Sequence, residues 1–532
     1  MNLTNFKTWS FLFFIAASLL CYYAAPKKHQ WKILLLANIF FYVSSGAFNI
    51  IFMAATACST FFCARKAEKI NAEFRQKKSS GEFSRDELKI QKAASTRRKR
   101  AVLIFVVSLN FGILFFLKYW NTIAEFFSAE FLKIGSNRTL LLPLGISFYT
   151  FQSFSYFMDV YNEKFESEKN FFKYFLFVSF FPQLVMGPIN RFDKIGHALS
   201  AERKFDFENF KRGILLILFG AMKKYCIADM LVLRISSVLD NGYERIPGVF
   251  IAMAILAYSV YQYADFSGGI DMVRGFAELF GIEMQENFRQ PYFSVSLADF
   301  WRRWHISLGL WMKDYVFYPL AFTKKMQSLT KFCQKKMGKH FARTVPAGIS
   351  NIIVFLLVGI WHGPEMHFVL WGLYNGIVIA VSDLAKPAFE KISSALKIKT
   401  ESKAFYFFRI LRTFLIVNIG WYFDRISDVR LSFVYLKNTF THFYAKGIFK
   451  ADYLKSIFGS FRNADSELVL IFVAGAIVFA CSLLKERKID LYESIQKKNI
   501  AFRWISYYVP MILVILSFSF APDNPVFMYA QY

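Results

Sequence analysis

Apolar runs of bilayer length recur from one end of this chain to the other with no long polar domain between them. Few folds survive that constraint. In hydrocarbon every backbone N–H and C=O must be satisfied within the protein, as a helix does along its own length. Continuous runs of about 17 to 25 apolar residues, rather than short alternating ones, specify helices. Composition agrees, with 55% hydrophobic residues, 66 phenylalanines among 532 residues and a positive mean hydropathy. The expected fold is all-α, a polytopic integral membrane helical bundle of about 11–13 membrane helices with re-entrant or interfacial helices. Residues 1–532 are read as a single multi-pass domain of the cell (inner, cytoplasmic) membrane.

The formal charge of +27 raises nucleic acid as a partner, but Lys and Arg sit mainly in short links between apolar runs, where cytoplasmic loops carry them. The charge is read as topology: membrane lipids are expected partners, nucleic acid is not. Runs at 8–24, 31–46 and 47–63 lead to a basic link at 65–100, expected as a cytoplasmic loop of solvated chain or short surface helices. Runs at 101–117, 143–161 and 171–187 then precede a second basic link carrying Arg191, Lys194, Arg203, Lys204, Lys211 and Arg212. Two cytoplasmic links need an even number of crossings between them, so one of these three runs fails to span. Pro182, Gly187 and Pro188 make 171–187 the easiest to bend. Runs at 213–235, 246–264, 345–361, 368–384, 405–423, 468–484 and 505–520 complete about twelve crossings, with both termini and the link at 424–467 outside. The first run lacks an A-x-A site and is expected to stay as a helix. No C-x-x-C occurs among the six cysteines, so neither a disulfide framework nor a zinc site is indicated.

The densest chemistry lies in SLADFWRRWHISLGLWMKDYVFYP, residues 296–319. Ser296 and Asp299 have capping-box spacing and Pro319 closes the far end, so the stretch is expected as one bounded helix. On it Trp301, Trp304, His305, Leu308, Met312 and Tyr315 share a face, opposite Arg302, Arg303, Lys313 and Asp314. His305 thus points to the apolar side, as a satisfied core residue or as a site residue. A second cluster, Gln262, Tyr263, Asp265, Ser267 and Asp271, lies where Gly268 and Gly269 are expected to break a helix. Ionisable groups at a membrane-helix end are functional candidates, while Asp271 and Arg274, three apart, are expected to pair structurally.

A third cluster, GIWHGPEMHFVLWGLYNG, holds Trp361, His362, His367 and Asn375. His362, Glu365 and His367 lack H-E-x-x-H spacing and Pro364 interrupts helical geometry, so no metal is expected. Counting crossings places His305 on the cytoplasmic side and His362 on the outer side. Together the two histidines suit general-base catalysis: a neutral imidazole in apolar surroundings takes a hydroxyl proton as the oxygen attacks a carbonyl. No G-x-S-x-G elbow, P-loop or G-x-G-x-x-G at a strand end supports a serine or nucleotide route.

DFWRRWHISLGLWMKDYVFYPL, QYADFSGGIDMVRG, ENFRQPY and GIWHG resemble the membrane-bound O-acyltransferase (MBOAT) superfamily, in the bacterial branch that includes the alginate O-acetyltransferase AlgI. PLGISFYTFQSFSYFMDVY, FFPQLVMGPINRF and the terminal PVFMYAQY extend the likeness from Leu142 onward. The resemblance implies catalytic roles for His362 and His305, a central tunnel, and an active-site core at about 142–385. It further implies transfer of an acyl group, acetyl first, from acetyl-CoA to hydroxyls of an exported or cell-envelope polysaccharide, with no permanently bound cofactor. Tunnel or substrate candidates are Gln262, Tyr263, Asp265, Ser267, Trp304, Trp361 and Asn375. Arg302, Arg303 and Lys313 could meet the donor's phosphates or snorkel to lipid headgroups. An outer-surface partner of SGNH-hydrolase type is implied as well. Pro319-Leu320 leads to Ala321, Phe322, Thr323 and Lys324 where relatives often carry glycines, a departure on the donor side. D-alanyl transfer to teichoic acid is the nearest alternative, disfavoured by the DFSG form of residues 265–268; a polysaccharide or lipid transporter is the rival from another class.

Overall fold

The computed structural model describes residues 3–126, 142–240, 242, 244, 246–444 and 464–520. The terminal 525–532 segment and residues 445–463 of the outer link lie outside the described residues. Among those described the chain is helical, with no strand and one isolated backbone bridge, Phe288 to Trp304.

Among the described residues eight helices are long and apolar enough to cross a bilayer: Ala47–Ser79, Arg85–Trp120, Gly248–Leu279, Lys339–His362, Met366–Leu384, Lys403–Arg425, Ser466–Glu486 and Ile500–Ser517. Hydropathy alone counted about twelve. The runs at 8–24, 31–46 and 143–161 form helices of 16 residues each, Trp9–Ala24, Gln30–Ser45 and Ile146–Tyr161. At 1.5 Å per residue such helices reach about 24 Å, short of the roughly 30 Å hydrocarbon core. The run at 171–187 divides at Phe180 into Phe171–Ser179 and Phe181–Met186, with Pro182 in the first turn of the second piece and Gly187 extended. The run at 213–235 is interrupted by a π-helical segment, Met222–Ala228.

The basic link at 65–100 is not a loop. Ile50–Ser79 and Arg85–Phe126 carry their apolar runs straight on into it and meet at a turn near residues 80–84. Ala, Glu, Gln, Lys and Arg are strong helix formers, which overrides the reading of a charge run as solvated chain. A reciprocal cap starts the second helix: Glu87 N donates to Ser84 Oγ at 3.3 Å and Ser84 N to Glu87 Oε2 at 2.8 Å.

The chain forms two compact units, Met1–Ile214 with Val273–Gln285, and Leu215–Met272 with Glu286–Tyr532. The first packs on buried aromatic rings, including Phe11, Phe41, Tyr42, Tyr149, Tyr156 and Tyr174. Tyr156 and Tyr174 lie 4.4 Å apart between ring centroids, and the Tyr174 hydroxyl meets Thr60 Oγ1 at 2.8 Å, so the polar tip is satisfied as the ring is buried.

The second unit is built on the hairpin of Lys339–His362 and Met366–Leu384, backed by Lys403–Arg425. A Cβ on Gly359 would sit 2.3 Å from the Phe368 carbonyl oxygen, and one on Gly372 2.4 Å from that of Phe355. The hairpin's backbones can touch only because both residues are glycine. Helix Gly248–Leu279 runs unbroken through Gly268 and Gly269, contrary to expectation. Gly268 instead permits a close crossing, since a Cβ there would lie 2.7 Å from Gly220 O. The crossing sets buried charges side by side. Lys224 pairs with Asp265 and, at 2.9 Å, with Asp229; Lys223 pairs with Asp271 at 2.6 Å and donates to Ser267 at 3.2 Å.

Candidate active site

The stretch at 296–319 begins as expected, with Ser296 Oγ accepting from Asp299 N at 3.1 Å, but it is not one helix. Leu297–Arg303 ends at Trp304, which is extended, and Ile306–Met312 begins after His305, whose φ of 46° and ψ of 52° are left-handed. A π-helical segment, Lys313–Phe317, follows, and Pro319 lies in the first turn of Tyr318–Ala321 rather than closing the stretch. Periodicity could not show the break because its cause is tertiary. Arg289 N donates to Arg303 O at 2.9 Å and Ile306 N to Asn287 O at 3.0 Å, so the 287–289 backbone takes up groups that a continuous helix would have used internally.

A left-handed conformation is unusual for histidine and is held here by a specific lock. Asn287 Oδ1 accepts from Ser307 N at 2.9 Å, which orients the amide so that Nδ2 meets His305 Nδ1 at 3.2 Å. Oδ1 lies farther from that nitrogen, at 3.4 Å, so the shorter contact has the amide donating to Nδ1, which assigns the imidazole proton to Nε2. Phe266 packs edge-on against the ring with centroids 4.8 Å apart. Burial pushes the His305 pKa down to about 3, so the ring is neutral at ordinary pH.

His362 is the last residue of Lys339–His362, where Gly363 turns extended ahead of Pro364. Its ring stands against Trp361 and Trp371, with centroids 4.9 and 5.1 Å away. Both histidines line one small cavity of about 30 Å³, together with Gln262, Trp301, Trp304, Trp371, Trp421 and Asp424. That volume holds about two waters. A second, larger cavity of about 820 Å³ shares Trp301, Trp304, His305, Leu308 and Val358 with the small one. Arg289, Arg302, Arg303, Lys313, Lys485 and Lys488 lie on its wall.

The expected site residues divide accordingly. His305, His362, Gln262 and Trp304 come together on the small cavity, and Arg302, Arg303 and Lys313 on the large one. Arg303 is already matched by Glu486 at 2.8 Å and Asp299 at 3.3 Å. Asn375 supports from behind, accepting from Trp301 Nε1 at 3.0 Å. Asp265 and Ser267 belong to the lysine network, Tyr263 packs edge-on to Phe288, and Trp361 flanks His362; none of these four lines either cavity. Sequence reasoning missed Asp424, Trp421, Lys223 and Lys224. The signal for the lysines was two adjacent charges inside an apolar run. His367, weighed as a metal ligand, donates from Nδ1 to Phe423 O at 2.9 Å.

Fold and site thus define a multi-span membrane protein with a small two-histidine cavity. Comparison with known proteins specifies it further. The model of the MBOAT, membrane-bound O-acyltransferase family, matches residues 165–333. The probable alginate O-acetylase AlgI of Azotobacter vinelandii is 30% identical over 435 residues, covering 80% of this chain and 75% of that protein. The probable alginate O-acetylase AlgI of Pseudomonas syringae pv. tomato is 32% identical over 348 residues, 64% of this chain and 61% of that protein. The peptidoglycan O-acetyltransferase of Helicobacter pylori is 30% identical over 383 residues, 66% of each. The match to the P. syringae protein thus spans less than two thirds of its length. The chain belongs to the membrane-bound O-acyltransferase family.

Proposed function

We propose that this protein transfers an acyl group, acetyl first, from a cytoplasmic thioester donor to hydroxyls of an exported or cell-envelope polysaccharide. The observation that carries the reading is the convergence of His305 and His362 on one cavity that adjoins a larger, cation-lined one. Acetyl-CoA suits the larger cavity. Arg289, Arg302, Lys313, Lys485 and Lys488 offer charge to its phosphates, and the apolar wall from Trp304 to Val358 suits the pantetheine arm and acyl group.

His362 acts as the base. It takes the acceptor hydroxyl's proton as that oxygen attacks the thioester carbonyl; the C–S bond breaks, and the departing thiolate recovers the proton. His305 is neutral with its proton on Nε2, so its part is to donate a hydrogen bond to the carbonyl oxygen as charge builds there. The names of the relatives, alginate O-acetylase and peptidoglycan O-acetyltransferase, support a glycan acceptor. A surface partner of SGNH-hydrolase type would carry the group on to the polymer.

The test uses purified full-length protein in lipid nanodiscs with radiolabelled acetyl-CoA and alginate or chito-oligosaccharide. Free thiol and ester-linked label are expected from the wild type, and from His362→Ala neither above background. Glycan movement into liposomes without thiol release would instead establish the transporter reading.

A further inference from the structure

Asp424 stands where no sequence motif pointed, and the reaction outlined above does not use it. It lies near the end of Lys403–Arg425, is 8% exposed, and lines the small cavity with the two histidines. Among the described residues on that cavity it is the sole carboxylate. Two neutral donors hold one of its oxygens: Tyr258 Oη at 2.7 Å and Gln262 Nε2 at 2.8 Å, both to Oδ2. Its sequence neighbour Arg425 directs its guanidinium to Asp240 and Ser236 Oγ rather than to Asp424. A carboxylate taken out of water, hydrogen-bonded by the neutral Tyr258 and Gln262 while His367 and Arg425 act on it through charge alone, is costly to keep, which marks it as a functional candidate.

The titratable groups around it are few. His362 comes from the end of Lys339–His362 and His305 from the kink. His367 comes from Met366–Leu384 and is tied by Nδ1 to Phe423 O, Tyr258 comes from Gly248–Leu279, and Glu365 lies in the hairpin turn beside Gly363. His305 is held neutral by burial and by Asn287. His362 is the other imidazole on the cavity, and it lies at a helix C-terminus.

We infer that Asp424 is a positioning residue that acts through His362: its carboxylate is the countercharge to the imidazolium that forms when His362 accepts a proton. The inference rests on the acyl-transfer reading for its catalytic consequence, not for the electrostatic coupling itself. The proton passes from the acceptor hydroxyl to His362 and from His362 to the leaving thiolate, and the step moves no proton to or from Asp424. Tyr258 and Gln262 fix Oδ2, so the carboxylate cannot swing out of the cavity wall.

Two measurements on the full chain in nanodiscs test this. The first is thiol release from acetyl-CoA. Asp424→Asn keeps the shape and the Tyr258 contact but removes the charge, and should lower kcat on the order of 100-fold with KM within about twofold; Asp424→Glu should recover at least about tenfold of that loss. The second needs no turnover: the pH midpoint for diethylpyrocarbonate modification of His362, read by mass spectrometry. An opposite charge raises an imidazole's pKa, so Asp424→Asn should move the midpoint down by about one unit. Coincident midpoints in wild type and Asp424→Asn overturn the inference, as does full activity in Asp424→Asn. Loss confined to a D-alanyl thioester, with acetyl transfer intact, also overturns it, because the carboxylate would then serve a substrate ammonium. Should the wild type release no thiol, the acyl-transfer reading fails while the modification midpoints still decide the coupling.

Discussion

The two histidines share a cavity but are built into the chain in opposite ways. His305 sits in a left-handed kink between two seven-residue helices, gripped at Nδ1 by Asn287 and pressed edge-on by Phe266. His362 closes a 24-residue helix, set between Trp361 and Trp371, with the extended Gly363 and Pro364 behind it. The first arrangement fixes one tautomer and holds the ring neutral. The second sets the ring at a helix C-terminus, on the same small cavity as the Asp424 carboxylate. Two residues of one type thus stand in different supports, and in the proposed reaction it is the surrounding chain, not the side chain, that decides which donates and which acts as base.

The contrast can be broken by exchanging the supports. Loss of the base, His362→Ala, should be the largest effect, at least about 1,000-fold in acyl transfer. His305→Ala should cost on the order of 100-fold in kcat, while the pH at which the rate falls on the acid side stays that of the wild type, because a ring already neutral contributes no titration there. A shifted acid limb in that variant would mean His305 is the base. Asn287→Ala should cost about tenfold, since it frees the His305 tautomer without removing the ring; recovery in Asn287→Gln would argue against so close a geometric requirement.

A smaller effect concerns stability. The folded-state pKa of His305, about 3, lies below its ordinary 6.5, so between those values the unfolded chain holds a proton that the folded one lacks. Stability associated with this residue is therefore complete above pH 6.5 and is lost as pH falls toward 3. Thermal unfolding in nanodiscs at pH 7 and pH 5 should show a drop in Tm that His305→Asn makes smaller. An equal drop in both proteins would remove His305 from the account of acid sensitivity.

Legibility in the sequence tracked how local each cause was. Membrane helices at 246–264, 345–361 and 368–384 were readable because hydropathy and helix length are properties of one segment. The division of 171–187 was readable from Pro182 and Gly187. The kink at His305 was not, because it depends on the 287–289 backbone some 17 residues earlier in the chain. Asp424 sits at the edge of an apolar run, where hydropathy starts the outer link; only Tyr258 and Gln262, more than 160 residues away in sequence, show that it faces inward. Gly268 was misread for a related reason. Glycine can signal a helix break or a close crossing, and Gly220 on the other helix of that crossing selects the second.

The central claim is that His362 is the base for acyl transfer. It is tested most directly by the base-labile ester acetate on envelope glycan from cells carrying either wild-type protein or His362→Ala at matched levels in the membrane. The expected result is abundant ester acetate with the wild type and background levels with the variant. Equal ester acetate in the two strains, with both proteins inserted, would contradict it.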